Sequence, residues 1–312
     1  MDQVSILIPV FNMGKYLAQT IESALRQTYK NIEIIVINDG SSDRSADIAL
    51  SYKDSITYVY QDNKGLCSAL NTGLRIAQGD FVALLDHDDV LMPEKIERQV
   101  DVFRRNPEYG LVFTNGVRID GAGQTIKESF FSDYVPEGRI FKELFLRMSV
   151  SGPTMMFPRS VLDMVGDFDT DCLVQDYQMA LKIAYHYPIG YLDEKLYAHR
   201  WHGANTSTNG YVMCNNELMT LLNIIDRFQD VERIVGRKSF RKRMSEVYYR
   251  AARVEMTEKR NFSKANSFLI NSMKHKLSLR TSFALAGCLF GADLITKLKG
   301  IRSKTQNTPL VQ

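Results

Sequence analysis

Phe81-Val82-Ala83-Leu84-Leu85-Asp86-His87-Asp88-Asp89 joins an unbroken apolar run to three carboxylates within four residues. The run suits a strand covered on both faces, as in a parallel sheet, where no solvent side demands alternation. Val4-Ser5-Ile6-Leu7-Ile8-Pro9-Val10 and Ile32-Glu33-Ile34-Ile35-Val36-Ile37 have the same character and are rich in β-branched residues. Between these runs lie helix-like stretches: Tyr16 to Gln27, with apolar Leu17, Ile21, Ala24 and Leu25, then Ser45 to Tyr52 and Ser68 to Ala77. Strand and helix alternate, which predicts βαβ units and an open, doubly wound α/β sheet. Pro93 fits the first turn of a further helix reaching about Asn106, with Ile96, Val100 and Phe103 on one face, and Leu111 to Thr114 resumes strand.

Beyond residue 115 the pattern is irregular, punctuated by turns at Asp120-Gly121-Ala122-Gly123 and Pro136-Glu137-Gly138. It reads as a subdomain built on the same sheet. From about Glu217 the residues favour helices, so the expected division is 1–215 for the α/β domain and 216–312 for a basic, helical C-terminal extension. The apolar run Phe283 to Ala292 has 10 residues. That is short of the ~20 needed to span a bilayer, so a core or interfacial helix is expected there.

A chain of 312 residues, 45% hydrophobic and 24% charged, lies in the ordinary globular range and excludes disorder as the default. Cys67, Cys172, Cys214 and Cys288 are widely spaced with no C-x-x-C pair, so they are expected as apolar residues in a reducing compartment. Met1-Asp2-Gln3-Val4 carries no basic segment ahead of an apolar core, and a cytoplasmic location is expected. A net charge of +3 gives no argument for nucleic acid. The charge is uneven, however: residues 233–304 hold 18 Lys and Arg against 4 Asp and Glu, a local +14 that leaves −11 for the rest. An acidic body suits a metal, and a basic tail suits an anionic partner such as the inner face of the cell membrane.

In an open α/β sheet ligands bind beyond the carboxyl ends of the strands. Two such places are acidic: Asn38-Asp39-Gly40-Ser41-Ser42-Asp43, and Asp86-His87-Asp88-Asp89. Crowded carboxylates repel one another unless a cation sits among them, and Mg²⁺ or Mn²⁺ takes one or two carboxylates plus phosphate oxygens and water. Asp43 is expected to cap the helix that follows it, and Asp88 or Asp89 could cap the one at Pro93; for Asp86 and Asp88 the reading is metal and nucleotide.

Several ordered motifs then resemble those of one family, the inverting glycosyltransferases of family 2, of the bacterial surface-polysaccharide type, over Val4 to about Ser207. The opening Pro9-Val10-Phe11-Asn12 is similar to the family's start, and Asp39 matches its base-binding aspartate. Asn63-x-Gly65-x-x-x-Ala69-x-Asn71-x-Gly73 also matches, with Leu70 where an Arg is often found. Asp86-His87-Asp88-Asp89 is similar to the D-x-D-D form, in which the first Asp meets the ribose side and the next holds metal. Gly166-Asp167-Phe168-Asp169 with Gln175-Asp176 resembles the segment ending in the catalytic Glu-Asp pair, Gln175 replacing Glu and Asp176 keeping the base. Arg200-Trp201-His202-Gly203-Ala204-Asn205-Thr206-Ser207 looks like the basic loop near the diphosphate.

The resemblance implies a GT-A fold with a doubly wound mixed sheet. It implies non-processive transfer as well, because Tyr197 stands where the Q-x-x-R-W signature has Gln. The site residues it implies are Asp176 as base, Pro9, Phe11, Asp39, Asn63, Asp86, His87 and Arg200 around the nucleotide sugar, and Asp88 and His202 on Mn²⁺ or Mg²⁺. A uridine diphosphate (UDP) sugar is the expected donor, and a glycan or lipid-linked glycan the expected acceptor. Taken alone, Asp176 could equally be a helix N-cap and His202 a structural histidine. Two other functions stay open. A sugar nucleotidylyltransferase would need a Gly-rich, Arg-bearing loop where Phe11-Asn12-Met13-Gly14-Lys15 stands, and a non-catalytic nucleotide-sugar binding module is favoured only by Gln175.

Overall fold

The structure, a computed structural model, describes residues 2–129, 131, 135–147, 150–171, 175–203, 205 and 208–290. The chain divides into two compact units, Met1–Asn205 and Thr206–Gln312. The sequence reading put the division near residue 215, but the first long helix of the second unit already starts at Gly210, where Asn209 accepts a capping bond from Val212 N–H.

The first unit runs β1 (Val4–Val10), α1 (Gly14–Leu25), β2 (Ile32–Asp39), α2 (Ser45–Ser51), β3 (Thr57–Gln61), α3 (Leu66–Ile76), β4 (Phe81–Leu84), β5 (Val90–Leu91) and α4 (Lys95–Arg105). It continues with β6 (Leu111–Ile119), β7 (Thr125–Lys127), α5 (Phe141–Leu146), β8 (Met156–Pro158), α6 (Leu162–Val165), α7 (Gln175–His186) and β9 (Ile189–Arg200). The strands form one mixed sheet in the order β3-β2-β1-β4-β8-β6-β9-β5, with β7 paired to β6. β1 pairs in parallel with β2 and β4, and β6 with β9, while β8 and β5 run against their neighbours. Strands β2, β1, β4, β6 and β9 therefore point the same way, and their carboxyl ends share one edge.

Burial explains the runs. All seven residues of β1 are buried, because the strand has neighbours on both sides. Leu17, Ile21 and Ala24 of α1 join Ile6, Ile8, Ile34, Val36 and Ala83 in one core. Gly73 lets α3 lie close on the sheet: a Cβ there would stand 2.9 Å from Ile37 Cδ1 and 3.1 Å from a Leu7 methyl. The Asp120–Gly123 turn is present too, with Asp120 Oδ1 accepting from Ala122 and Gln124 N–H as the chain passes from β6 to β7.

The second unit contains α8 (Gly210–Arg227), α9 (Val231–Val235), α10 (Arg237–Val254), a π-helical turn at Glu255–Lys259, α11 (Phe262–His275) and α12 (Leu279–Phe290). Tyr249, Ala252, Ala265, Leu269 and Cys288 form its core cluster. Of the expected apolar run, 283–290 belong to α12, and 291 and 292 lie outside the described residues, as do Cys172 and the end of the basic tail. Among the described residues no helix is long and apolar enough to cross a membrane. Among the described residues Cys67 and Cys288 are buried and Cys214 is partly buried, none of them in a disulfide.

Candidate active site

The common edge of β2, β1, β4 and β9 gathers the polar residues singled out in the sequence. Two loops are laced together beyond β1 and β2. Asn12, at φ 49°, accepts from Ser42 N–H through its side chain while its own N–H donates to Ser41 Oγ. Asp43 accepts from Gly14 N–H at 2.8 Å and Ser45 N–H at 3.0 Å, so one carboxylate serves the first residues of both α1 and α2. Burial works against its ionisation, but these bonds outweigh it and hold Asp43 below the usual carboxylate range. Phe11 leaves this loop 44% exposed, with its ring available as a stacking face.

Asp39 ends β2, buried, and accepts from Gln61 Nε2 at 2.7 Å, Lys64 N–H at 2.9 Å and Gly65 N–H at 2.9 Å. It thereby folds the 62–65 loop, whose Asn63 is exposed, back toward its own strand. Gly40, at φ +74°, makes room for that loop, because a Cβ would stand 2.7 Å from Asn63 N.

The Asp86–Asp89 loop is held from three sides. Thr20 of α1 donates to the carbonyls of His87 and Asp89, and His87 Nδ1 donates to Pro9 O at 3.0 Å. Asp89, fully buried, accepts from Tyr197 O–H and from Arg200 N–H at 2.7 Å, with His199 Nδ1 at 3.4 Å. It is the anchor of the loop to β9, not a helix cap. Arg200, expected beside the donor, is 1% exposed. Its Nε donates to Asp88 O at 2.7 Å, Nη1 to Asp120 O at 3.2 Å and Nη2 to Gln19 Oε1 at 2.7 Å, and its plane lies 4.7 Å from the Tyr16 ring centroid. Its reach to the site runs through the peptide of Asp88.

Asp88 and His202 meet directly, Oδ2 to Nε2, at 2.8 Å. Asn205 fixes the loop that carries His202: its Oδ1 accepts from His202 N–H at 2.6 Å and its Nδ2 donates to Arg200 O at 3.0 Å, lying 3.5 Å from Asp88 Oδ2. Sequence reasoning saw Asn205 only as part of a motif. Ala204, Thr206 and Ser207 of that motif lie outside the described residues. Among the described residues, no group of three or more His, Cys, Asp or Glu converges to hold a metal ion. A pair of ligands, one carboxylate and one imidazole, suits an ion that takes its other ligands from a diphosphate and water. The charge of the site agrees: burial first, then the Asp89, Asp88 and Asp176 carboxylates, push Asp86 well above the usual carboxylate range, a strain that a cation would relieve.

Asp176 lies in the first turn of α7, not ahead of it. Its carboxylate accepts from Gly152 N–H at 3.0 Å and Tyr177 N–H at 2.7 Å. Burial raises its pKa, and these two bonds pull against that rise. Asn71 steadies the approach to α7 through a reciprocal pair with Phe168, donating to its carbonyl at 2.8 Å and accepting from its N–H at 3.0 Å.

An open mixed sheet with acidic loops at its carboxyl edge agrees with the GT-A fold that the sequence motifs imply. The model of the family described as glycosyl transferase family 2 matches residues 5–166. An uncharacterized glycosyltransferase of Rickettsia prowazekii is 36% identical over 238 residues, 73% of this chain and 70% of that protein. Another, of Rickettsia conorii, is 37% identical over 221 residues, and the match spans only 37% of its length. The chondroitin synthase of Escherichia coli is 29% identical over 65% of this chain and 30% of its own. Among solved structures, the mannosyltransferase PcManGT of Pyrobaculum calidifontis, in complex with GDP-Man and Mn²⁺, superposes with a TM-score of 0.62 at 16% identity, covering 91% of this chain and 79% of that one. S. aureus TarS 1–349 in complex with UDP-GlcNAc gives 0.57 at 18% identity, over 92% and 79%. The chain belongs to glycosyl transferase family 2 and is a glycosyltransferase.

Proposed function

We propose that the chain transfers a sugar from a UDP-sugar to a hydroxyl of a glycan or lipid-linked glycan of the cell envelope, with inversion and one sugar per encounter. The observation that carries this reading is the gathering of Asp39, Asp86, the Asp88–His202 pair and Asp176 beyond the carboxyl ends of the strands. Asp39 accepts an N–H of the base, Phe11 stacks on it, and Asn63, on the exposed 62–65 loop, borders the same pocket. Pro9 and His87 shape the floor through their mutual hydrogen bond. Asp86 faces the ribose. Asp88 and His202 hold Mn²⁺ or Mg²⁺, which supplies charge neutralisation for the departing diphosphate. Asp176 takes the proton of the acceptor hydroxyl, and a partly buried carboxylate of raised pKa is a better base than a fully exposed one. One base and no enzyme nucleophile imply a single displacement, hence inversion. Fold relatives carry both UDP-GlcNAc and GDP-Man, so the choice of uridine rests on Asp39.

The second unit carries an exposed apolar and basic segment of its own. Leu277, Leu279 and Phe283 are 76%, 80% and 62% exposed, and exposed Lys274, Lys276 and Arg280 stand beside them in the chain. Apolar side chains among basic ones suit an anionic lipid surface, where a lipid-linked acceptor would be found. On this reading the protein would lie peripherally on the cytoplasmic face of the membrane. The transferase reading is tested by a donor screen that follows release of nucleotide diphosphate in the presence of manganese. Release from a UDP-sugar that needs acceptor and metal is expected, and no release from any nucleotide sugar would refute it.

A further inference from the structure

Asp39 and Gln61 are register partners on the parallel strands β2 and β3, so strand pairing itself sets the amide beside the carboxylate. A carboxylate accepts only and offers about four lone-pair positions. At Asp39, Oδ1 takes Gln61 Nε2 at 2.7 Å and Lys64 N–H at 2.9 Å, and Oδ2 takes Gly65 N–H at 2.9 Å. Among the described residues these are its donors, and one position remains, on Oδ2.

Gln61 has no freedom to turn away. Arg75 Nη2 donates to Thr72 Oγ1 at 2.7 Å, and Thr72 O–H donates to Gln61 Oε1 at 2.7 Å. The amide nitrogen therefore faces Asp39, with Ser68 Oγ 3.5 Å from the same nitrogen. Every bond in this relay runs in one direction, toward the carboxylate.

The bases differ in what they ask of a carboxylate. Uracil presents one ring N–H between two carbonyls and needs a single acceptor. Guanine presents a ring N–H and an exocyclic amino group side by side and needs two. Cytosine sets a ring acceptor beside its amino group, which a carboxylate repels. We infer that Gln61 is a specificity-determining residue: by filling Oδ1 it leaves Asp39 one acceptor position, which selects a uracil-type base and rejects guanine. Gln61 acts through Asp39, so it positions and does not bind. The inference rests on the proposed role of Asp39 at the base.

Calorimetry of UDP, GDP and CDP with manganese, on the wild type and on Gln61→Met, tests it. The wild type should favour UDP over GDP, and Gln61→Met should narrow that ratio by about tenfold, the worth of one hydrogen bond to a charged group, as the freed Oδ1 position accepts guanine's second N–H. A general loosening of the site would weaken both nucleotides alike and leave the ratio where it was. Should Gln61→Met fail to fold, Thr72→Val serves in its place, since it frees the amide to rotate and should narrow the ratio in the same direction. A UDP preference that persists unchanged in the variant overturns the inference and leaves the transferase reading intact. So does a wild type that favours GDP or CDP. A wild type that binds none of the three removes the nucleotide-sugar reading as well.

Discussion

Arg200 reaches Asp88 through the peptide carbonyl, so its loss should be felt first in the loop and only then in binding of the proposed metal. Its planar fork meets three acceptors on different segments, a geometry that a Lys ammonium cannot reproduce. Arg200→Lys leaves buried carbonyls without a donor and should cost about 1–3 kcal/mol of stability. Manganese affinity should fall with it. Denaturant unfolding and manganese titration check both, and weakened nucleotide diphosphate binding at unchanged stability would show instead that the guanidinium touches the donor. Motif reading could name Arg200 as belonging to the site and set Asp89 within the D-x-D-D form. It could not tell a ligand contact from a brace, because Arg200 is braced by Gln19 and Asp120, and Asp89 by Tyr197, partners far apart in sequence.

Helix α4 docks through an unusual group. Lys95 is fully buried, its Nζ donating to Gln99 Oε1 at 2.7 Å, while Gln99 Nε2 bonds the carbonyls of Val112 and Thr154. Burial drives the Lys95 ammonium down to about 7 from 10.5. Between those values the unfolded chain holds a proton that the folded one has released, so stability from this group rises with pH across that window, by at most about 1.4 kcal/mol per pH unit. Below pH 7 the cost of burying the charge is full and constant. Lys95→Met should therefore stabilise most at pH 6, with the advantage shrinking toward pH 10, as urea unfolding at several pH values would reveal. A constant gap between variant and wild type would contradict it. The elements legible in the sequence were those with continuous or cleanly periodic burial: β1, β2, β4, the start of β6, the helices between the first strands and α4. β3 was missed because it is an edge strand with mixed exposure, and the 12-residue β9 because its middle is only partly buried, so neither shows a continuous apolar run or a clean alternation. Gln61 at the end of β3 went unseen for the same reason.

Over the whole chain, charge separates along the sequence into an acidic first part and a basic second part. On an anionic surface each Lys or Arg near the lipid contributes about 1 kcal/mol, and the apolar trio Leu277, Leu279 and Phe283 adds burial. The full chain should sediment with anionic vesicles, release at high salt, and bind neutral vesicles weakly. Replacing the trio by Gln should abolish binding at unchanged melting temperature; a wild type that ignores both kinds of vesicle would remove the membrane from the account. In the proposed function a carboxylate on α7 takes the acceptor proton in a metal-supported transfer. Asp176→Asn keeps the shape of the side chain and one of its two N–H bonds while removing its basicity. With the donor found in the screen, turnover should fall by about 10²-fold or more while donor affinity stays close to wild type and stability drops only slightly. Near-wild-type turnover in Asp176→Asn would contradict the account.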